Sequence, residues 1–228
     1  GAIVCRQGAD ATISGCFFEN NTAEYRGGAI YCDDCDVTIE NCTVEGNYAD
    51  SGAGIYLRYG TFVVSGCLVV ANDAPSGRGG GLLADPGSPD VTITGCTFYG
   101  NTAATGGAIN VAAPQFVLAR TIVASSTAGG GVWYAYEAYR DATISCCNVW
   151  NNIGGDYSHI IGDQTGINDN ISADPLFCDP EEGDFTIYDT SPCAPDSSGC
   201  GQLIGALGVD CITPVEAASW GRVKSLYR

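Results

Sequence analysis

Carboxylates and a few basic side chains are the residues of this sequence that could carry out chemistry. Asp33, Asp34 and Asp36 form the densest acidic group, and a pair of carboxylates could hydrolyse a glycosidic bond. A lyase would instead need a base beside a sugar carboxylate, but the only histidine is His159 and the only lysine is Lys224. Solvated turns explain the aspartates better than catalysis does. The sequence therefore predicts a protein that is not an enzyme.

Composition and charge restrict the partners and the compartment of the chain. A net charge of −17 and a pI near 4.1 repel phosphate backbones and anionic lipids, which argues against binding to nucleic acid or a membrane surface. No apolar run reaches the roughly 18 residues that a transmembrane helix needs. The 13 cysteines indicate an oxidising compartment, so we expect a secreted, extracellular protein.

A recurring motif organises the first two thirds of the sequence. Residues 27–55 and 79–109 share a Gly-Gly start, a variable loop, the pattern V-T-I-x-x-C-x-F/V-x-x-N-x-A and a return to glycine. Equivalent residues recur every 23 to 29 positions. Such a period is typical of solenoid proteins, in which each repeat packs on its neighbours.

Aligned repeats produce rows of equivalent residues, and three of these rows are apolar. They are Ile3, Ile30, Ile55, Leu82, Ile109 and Val132; Ile13, Ile39, Val64, Ile93, Leu118 and Ile144; and Phe18, Val44, Val69, Phe98, Val123 and Val149. Short β-branched segments with glycine and asparagine at their ends predict three strands and tight turns per repeat. Stacking would bury the rows together, so the sequence predicts an all-β, right-handed parallel β-helix of about six coils over residues 1–155.

Two further rows carry polar or sulfur-containing side chains. The Asn ladder consists of Asn21, Asn47, Asn72, Asn101 and Asn152, with Ser126 in the fifth repeat. The Cys ladder consists of Cys16, Cys42, Cys67, Cys96 and Cys147, with Thr121 in the fifth repeat. Because each repeat supplies the same residue at the same place, we predict structural ladders rather than a ligand site, with each amide bonded to its neighbours and to the turn backbone.

The pattern C-x-F/V-x-x-N-x-A followed by a Gly-rich return occurs at Cys16–Ile30, Cys42–Ile55 and Cys96–Ile109. It resembles the coils of bacterial right-handed parallel β-helix proteins and the repeats of chlamydial polymorphic outer-membrane proteins. The resemblance covers about residues 1–155 and implies the fold and a bacterial cell-surface location. Because adhesins, lyases, hydrolases and filament proteins all use this fold, the resemblance does not imply one function.

The repeats end after residue 155, and residues 156–211 are predicted to form an irregular last coil and a C-terminal cap. Secreted bacterial β-helix proteins close with a segment that resembles four pieces of this one: Asp174–Phe177, Gly183–Phe185, Ser191–Cys193 and Ile204–Ala206. We expect the cap to cover the open end of the solenoid, because a solenoid needs an atypical last repeat that shields its end from water.

Four cysteines in this region allow three disulfide pairings. They are Cys178, Cys193, Cys200 and Cys211. We favour Cys178–Cys193 together with Cys200–Cys211, because each of these pairs closes a short loop.

Cysteines near the N-terminus offer a further bridge. Cys5 and Cys32 occupy the same slot of successive repeats and could join neighbouring coils, while Cys35 competes for Cys32. A zinc site at this C-x-x-C would need two more ligands, and none is evident. No cofactor is predicted, apart from weak calcium binding by the oxygen-rich segment Asp163–Asp174, which lacks the spacing of a known loop.

Residues 212–228 form a basic and aromatic tail that differs from the rest of the chain. Its distinctive residues are Trp220, Arg222, Lys224, Tyr227 and Arg228. The S-W-G-x-x-K-x-x-Y-R pattern resembles the short tails of secreted bacterial β-helix proteins, which implies a sorting role. The alternative is a flexible end.

Self-assembly is the function that the sequence favours. The chain opens inside a repeat motif, so its first coil has no visible cap and would expose unpaired strand edges. Head-to-tail stacking would cover them and produce a homo-oligomeric filament, with the basic tail docked on the acidic body of a neighbour. A cut from a longer chain would explain the uncapped coil as well.

The alternatives are an adhesin or carbohydrate-binding module and, more remotely, a polysaccharide lyase or hydrolase. Seven tyrosines could stack on surface glycans: Tyr25, Tyr31, Tyr56, Tyr59, Tyr134, Tyr136 and Tyr139. Tyr31 and Tyr56 share a slot, which predicts an outward stripe. The arginines of the repeats are scattered in the sequence, which disfavours a lyase: Arg58, Arg78, Arg120 and Arg140.

Overall fold

The computed structural model describes residues 1–135 and 141–212, and strands are the regular elements of these residues. Among them, no helix is long and apolar enough to cross a membrane. In chain order the strands are β1 (Ile3–Arg6), β2 (Asp10–Ser14), β3 (Phe17–Glu19), β4 (Ile30–Asp33), β5 (Asp36–Glu40), β6 (Thr43–Glu45), β7 (Ile55–Arg58), β8 (Phe62–Ser65), β9 (Leu68–Val70), β10 (Asp73–Arg78), β11 (Leu82–Ala84), β12 (Asp90–Thr94), β13 (Thr97–Tyr99), β14 (Thr102–Thr105), β15 (Ile109–Val111), β16 (Gln115–Ala119), β17 (Ile122–Ala124), β18 (Val132–Tyr134), β19 (Asp141–Ser145), β20 (Asn148–Trp150), β21 (Tyr157–His159), β22 (Phe177–Asp179), β23 (Asp184–Tyr188) and β24 (Val209–Cys211).

Three parallel sheets run along the molecule, and each turn of the chain adds one strand to each sheet. The sheets have the orders β1-β4-β7-β11-β15-β18-β21, β2-β5-β8-β12-β16-β19 and β3-β6-β9-β13-β17-β20. A short fourth sheet joins β10 and β14. The first coil thus comprises β1, β2 and β3, and the sixth comprises β18, β19 and β20. The predicted fold class, an all-β parallel β-helix, is confirmed.

The three apolar rows lie in register along the sheets. Ile30 pairs with Ile3 on one side and Ile55 on the other, and Ile39 and Val44 are flanked by their row neighbours in the same way. Strand residues alternate between the two faces of a sheet, so each row points into one shared interior. Each fully buried aliphatic side chain contributes roughly 1.5–3 kcal/mol.

The Asn ladder continues through the first four coils as a chain of amide hydrogen bonds. Asn47 donates from its backbone nitrogen (3.0 Å) and its Nδ2 (2.9 Å) to Oδ1 of Asn72, and Asn72 donates to Asn101 in the same way. The Nδ2 atoms also donate to backbone carbonyls of strands β3, β6 and β9, so the buried amides are satisfied. Ser126 interrupts the ladder, and its buried hydroxyl has no hydrogen-bond partner within the described residues.

The ladder resumes in the sixth coil. Oδ1 of Asn152 accepts the Ser126 backbone N–H at 3.0 Å, and Asn152 donates to the carboxylate of Asp156 at 2.9 Å. Asp156 therefore takes the slot of the next asparagine, a role that the repeat alignment did not assign.

The Cys ladder is built on the same plan with weaker partners. Each thiol donates to the carbonyl two residues earlier, as Cys96 does to Thr94 at 3.4 Å. The backbone nitrogens of Cys16 and Cys67 donate at 3.4 Å to the sulfur of the following coil. The Cys147 nitrogen donates instead to Oδ1 of Asn170 at 2.9 Å, which ends the ladder.

Residues after the sixth coil close the end of the solenoid. β21 extends the seven-stranded sheet by pairing with β18, and Ile160 and Ile161 pack against the core. Asn168 and Asn170 donate to the carbonyl of Ile144 at 3.2 and 2.9 Å, which fixes this segment over the last coil. Residues 157–170 therefore cover the end of the solenoid, and they precede the predicted cap pieces, which begin at Asp174.

For residues 177–211, the predicted position over the solenoid end is wrong. The side module, residues 177–211, lies against the outer face of β13, β17 and β20. Its Ile187 and Ile204 form a small core with Ile122 and Ala124 of β17, and the Ala206 nitrogen donates to the threonine hydroxyl of β13 at 3.0 Å. The apolar residues on the outside of β17 need a cover, and the side module supplies it.

The favoured disulfide pairings are also wrong. Cys178 is bonded to Cys211, with their Cα atoms 6.1 Å apart, while Cys193 and Cys200 are thiols. β22 and β24 flank β23 on opposite sides, and Cys178 and Cys211 lie on these flanking strands. The bond therefore joins the two outer strands of this small sheet across 33 residues of sequence and does not close a short loop.

The Asn ladder predicts the effect of Asn72→Ala. This change leaves the buried backbone N–H of Asn47 without its acceptor and removes the amide that Asn72 itself donates to Asn101, so we expect it to lower the free energy of unfolding by about 2–4 kcal/mol. Urea denaturation monitored by circular dichroism measures the loss. Thr12→Ala, on the exposed surface of β2, is the control and should change stability by less than about 0.5 kcal/mol. Equal effects of the two changes would contradict the ladder.

The buried thiols predict alkaline destabilisation. Burial raises the pKa of the Cys147 thiol to about 12, whereas an unfolded thiol titrates near about 8.5. Below the unfolded pKa both states hold the proton, and above it the unfolded chain releases it more readily. We therefore expect constant stability up to about pH 8 and a decline towards pH 12 of up to about 1.4 kcal/mol per pH unit for each such thiol. A flat profile up to pH 11 would exclude this linkage.

Candidate functional site

The tyrosine stripe exists, but only part of it is open to solvent. Tyr31 and Tyr56 are register partners on the outer face of β4 and β7, and their rings stack with centroids 5.1 Å apart and planes 13° apart. Tyr56 has an exposed fraction of 0%, whereas Tyr31 is partly exposed. The prediction of an outward stripe is therefore wrong for Tyr56, because polar side chains from neighbouring coils cover it.

Arginines and a buried carboxylate cover Tyr56. Its hydroxyl donates to Oδ2 of Asp85 at 2.7 Å and accepts from Nη1 of Arg26 at 2.8 Å, and the Arg26 guanidinium lies 5.1 Å from its ring centre. Arg78 forms a salt bridge of 2.7 Å with the other oxygen of Asp85. Burial first, and then the hydrogen bond to Asp85, raises the pKa of Tyr56. The neutral hydroxyl of Tyr56 thus links the charged side chains of Arg26 and Asp85.

The interpretation of the arginines as scattered is wrong for the first coils. Arg6, Arg26 and Arg58 each place a guanidinium over a tyrosine ring, 4.9, 5.1 and 4.2 Å from its centre. Together with Arg78 they lie on one side of the first four coils. Coil stacking brings them together, because Arg6 and Arg58 both face Asp33 in the sheet register.

An open groove of about 490 Å³ lies beside this network. The Arg–Tyr groove is lined by Gly1, Val4, Arg6, Ala23, Glu24, Tyr25, Arg26 and Tyr31. Tyr25 has an exposed fraction of 69%, and Arg6 and Arg26 are also exposed. The groove thus combines two cations, one carboxylate and two aromatic rings on the surface of a protein with a net charge of −17.

Positions around Tyr31 hold the groove in shape. Its hydroxyl donates to Oδ2 of Asp33 at 3.0 Å, and burial followed by this contact raises the pKa of Tyr31. A Cβ on Gly27, whose φ is +64°, would lie 2.8 Å from the Cβ of Tyr31. Only glycine lets the chain turn so close to the ring.

The predicted acidic group serves local structure. Asp33 accepts the Tyr31 hydroxyl, Asp36 accepts the backbone N–H of Thr61 at 2.6 Å, and Asp34 lies at a turn with φ of +60°. His159 contacts Trp133, with ring centres 5.0 Å apart. The contacts of the three aspartates fit the prediction that they are turn residues, whereas His159 lies in strand β21.

A second groove of about 360 Å³ separates the coils from the side module. Tyr99, Trp150 and Phe177 contribute to its walls. The ring of Tyr99 packs on Phe177 and Phe185 at centroid distances of 5.7 and 5.0 Å, so these rings already contact one another. This groove is a packing seam of the side module, and it offers fewer free ring faces than the Arg–Tyr groove.

The N-terminal cysteines come together as predicted, although no disulfide joins them. Cys5 and Cys32 are register partners, and the Cys35 thiol donates to the Cys5 carbonyl at 3.5 Å. Burial, and then the nearby Cys35 and Cys5, raises the pKa of Cys32. A bridge between them stays a prediction.

Several predicted site residues belong to parts of the chain that the structure does not describe. The tail residues Trp220, Arg222, Lys224, Tyr227 and Arg228 lie outside the described residues, as do Tyr136, Tyr139 and Arg140.

The calcium prediction rests on a segment whose polar groups have structural contacts. Asp163 and Asp174 accept backbone N–H groups two residues later, at 2.9 and 3.0 Å, and Asn170 serves the Cys ladder. In residues 1–135 and 141–212, no group of three or more His, Cys, Asp or Glu side chains could hold a metal ion. Calcium binding stays a prediction.

Sequence reasoning missed Arg6 and Arg26 as members of the groove. The repeat alignment contained a signal for Arg6, since Arg6, Asp33 and Arg58 each follow the first apolar row by three residues. It contained none for Arg26, whose side chain reaches the ring of the next coil from a turn.

Comparisons with known proteins agree with this architecture. The profile described as right-handed β-helix region matches residues 1–171, and the chain belongs to this family. The match also supplies the handedness of the solenoid.

A further match is more distant. A segment of 99 residues is 34% identical to the metabotropic glutamate receptor-like protein R of Dictyostelium discoideum, covering 43% of this chain and 6% of that protein. The chain therefore matches a small fraction of that relative's length. No solved structure matches the chain.

The Tyr56 network predicts the effect of Tyr56→Phe. This change removes the hydroxyl between Arg26 and buried Asp85, and we expect a loss of about 1–2 kcal/mol in the free energy of unfolding. Tyr25→Phe, whose ring is exposed, is the control and should be neutral within about 0.5 kcal/mol. Thermal and urea denaturation of both variants measure the difference, and a neutral Tyr56→Phe would show that the network adds nothing to stability.

Proposed function

We propose that this chain is a non-catalytic, extracellular β-helix module that binds an anionic polysaccharide in the Arg–Tyr groove. The observation that carries the proposal is the pairing of exposed guanidinium groups with the exposed ring of Tyr25 and the partly exposed ring of Tyr31 in one groove of a strongly acidic protein. A uronic-acid chain presents both features that such a groove recognises, namely carboxylates and flat pyranose faces.

Each group of the groove has a role in this proposal. The guanidinium forks of Arg6 and Arg26 would bind sugar carboxylates, since arginine donates two parallel hydrogen bonds to a carboxylate. The ring of Tyr25 would stack on a pyranose face. Glu24 would accept hydrogen bonds from sugar hydroxyls, which fixes the orientation of the chain.

The overall negative charge does not prevent this binding. Charges on distant coils are screened beyond a Debye length of about 8 Å at physiological ionic strength, whereas the arginines contact the ligand directly. Electrostatic repulsion between the acidic protein and an anionic polysaccharide increases when the salt concentration is lowered. We therefore expect weak binding, with a dissociation constant of about 1 mM, that does not strengthen steeply at low salt.

The absence of a catalytic role is also a proposal. It is supported by the structural contacts of Asp33 and Asp36, and by the contact of His159 with Trp133. Oligogalacturonate incubated with the protein should be recovered at its original length. Shortened products would contradict this part of the proposal, and their loss in Asp33→Ala would assign the activity to the acidic group.

Binding of tri-galacturonate measured by calorimetry or NMR titration tests the groove. We expect Arg6→Ala to weaken binding roughly tenfold, because it removes one charged hydrogen-bond donor pair worth about 1.5 kcal/mol. Arg120→Ala removes the same charge from another side of the solenoid and should leave binding unchanged. The methyl ester of the ligand should bind more weakly than the acid.

Two results would overturn the groove as the binding site. One is equal affinity of the Arg6→Ala and Arg120→Ala proteins, and the other is equal affinity of the acid and its ester. Tyr25→Ala provides an independent arm, because the exposed ring can be removed without disturbing the core.

Self-assembly into a head-to-tail filament remains a second proposal. β1, β2 and β3 each lie at the edge of their sheet within the described residues, so each has one paired neighbour. A second copy, or a preceding segment of a longer chain, would pair with these edges equally well. Electron microscopy of native material separates the two, because filaments support assembly and uniform monomers exclude it.

A further inference from the structure

The side module brings a cysteine next to one that lies far away in the sequence. Cys146 is at the turn after β19, where the chain has a φ of +52°. Arg120 occupies the same turn one coil earlier, since its backbone nitrogen donates to the residue before Cys146 at 3.1 Å. This turn therefore forms a row on the surface of the solenoid.

The segment from Cys200 to Ala206 runs along this row towards earlier coils. The Gly205 nitrogen donates to the Arg120 carbonyl at 2.8 Å, and Nη1 of Arg120 donates to Oε1 of Gln202 at 3.4 Å. Ala206 reaches the fourth coil through its hydrogen bond to Thr97. Cys200, at the start of the segment, consequently lies beside the sixth coil.

The two thiols meet at that point. Both cysteines are partly exposed. The Cys146 nitrogen donates to the Asn168 carbonyl at 2.9 Å, and the next residue, Asp169, packs against Gly199, which precedes Cys200. Burial first, and then the neighbouring Cys200 thiol, raises the pKa of Cys146 to about 12. Oδ1 of Asp169 lies 3.5 Å from the position that a Cβ of Gly199 would take.

We propose that Cys146 and Cys200 form a disulfide that fastens the side module to the sixth coil. The established Cys178–Cys211 bond lies inside the side module and does not anchor it to the coils. The new bond would add that anchor. It would also explain why two partly exposed thiols face each other in a chain that already contains a disulfide.

The remaining pairing of the cap cysteines, Cys193 with Cys200, is disfavoured. Cys193 is fully buried in the small core of the side module, and its sulfur accepts a hydrogen bond from Nδ2 of Asn148 at 3.1 Å. Turning towards Cys200 would break this contact, which is one of the two hydrogen bonds that the buried Asn148 Nδ2 donates.

The bond forms by thiol–disulfide exchange with an external disulfide, either an oxidised low-molecular-weight thiol or the disulfide of an oxidoreductase. The two cysteines lose two protons and two electrons and gain one S–S bond, and the acceptor is reduced to two thiols. The high pKa of Cys146 means that little thiolate exists at neutral pH, so the exchange should quicken as the pH rises.

Differential alkylation of the full chain isolated from an oxidising compartment tests the proposal. The denatured protein is alkylated with a first reagent, reduced, and alkylated with a second reagent before peptide mapping. We expect Cys146 and Cys200 to carry the second label, as Cys178 and Cys211 do, whereas Cys96 and Cys193 carry the first. Without reduction, a linked peptide should join Cys146 to Cys200.

The Cys178–Cys211 bond serves as an internal control, because its labelling shows whether the protein was isolated in an oxidised state. If Cys178 and Cys211 carry the second label while Cys146 and Cys200 carry the first, the proposal is overturned. A linked peptide joining Cys193 to Cys200 overturns it equally.

Stability measurements provide a second arm. Serine is close to cysteine in size but cannot form the disulfide, so Cys146→Ser and Cys200→Ser should each lower Tm by roughly 5–10 °C. The double variant should show no further loss, because either change alone removes the whole bond. Additive losses would contradict a shared bond.

Discussion

Parallel stacking in register is the constraint on which the rest of this structure depends. Each buried asparagine amide must form a hydrogen bond with the next coil. The Nδ2 of Asn47 donates to Oδ1 of Asn72 at 2.9 Å, and the Nδ2 of Asn72 donates to Oδ1 of Asn101 at 3.0 Å. The separations along the chain are 25 and 29 residues, so the loops absorb the difference while the ladder stays fixed. A buried amide without a partner would cost about 1–3 kcal/mol, which makes the register cooperative.

The same register creates the surface features. Tyr31 stacks on Tyr56 because both follow an inward isoleucine by one residue, and alternation places them on the outer face. Turn residues of one coil then reach the ring of the next, as Arg26 does. Aromatic rings and guanidinium groups thereby accumulate on one side, and the Arg–Tyr groove is a consequence of stacking as much as of local sequence.

The repeated part of the fold could be predicted from the sequence, because each row is observed several times. The apolar rows and the Asn ladder needed only alignment and alternation. Features that occur once could not be predicted in the same way. Asp156 and Asn170 end ladders with a different residue type, the side module packs beside the coils through the outer face of β17, and Cys178 meets Cys211 through a sheet that has no repeat. Burial of Tyr56 likewise depends on Asp85, which lies in a loop.

Native-state hydrogen exchange measures the central claim most directly. The backbone amides of Asn47 and Asn72 donate to the ladder of the following coil, so both should exchange only through global unfolding and show the free energy of the whole solenoid. Exchange of these two amides at the rates of exposed turns, while neighbouring strand amides remain protected, would contradict a structure held together by amides shared between coils.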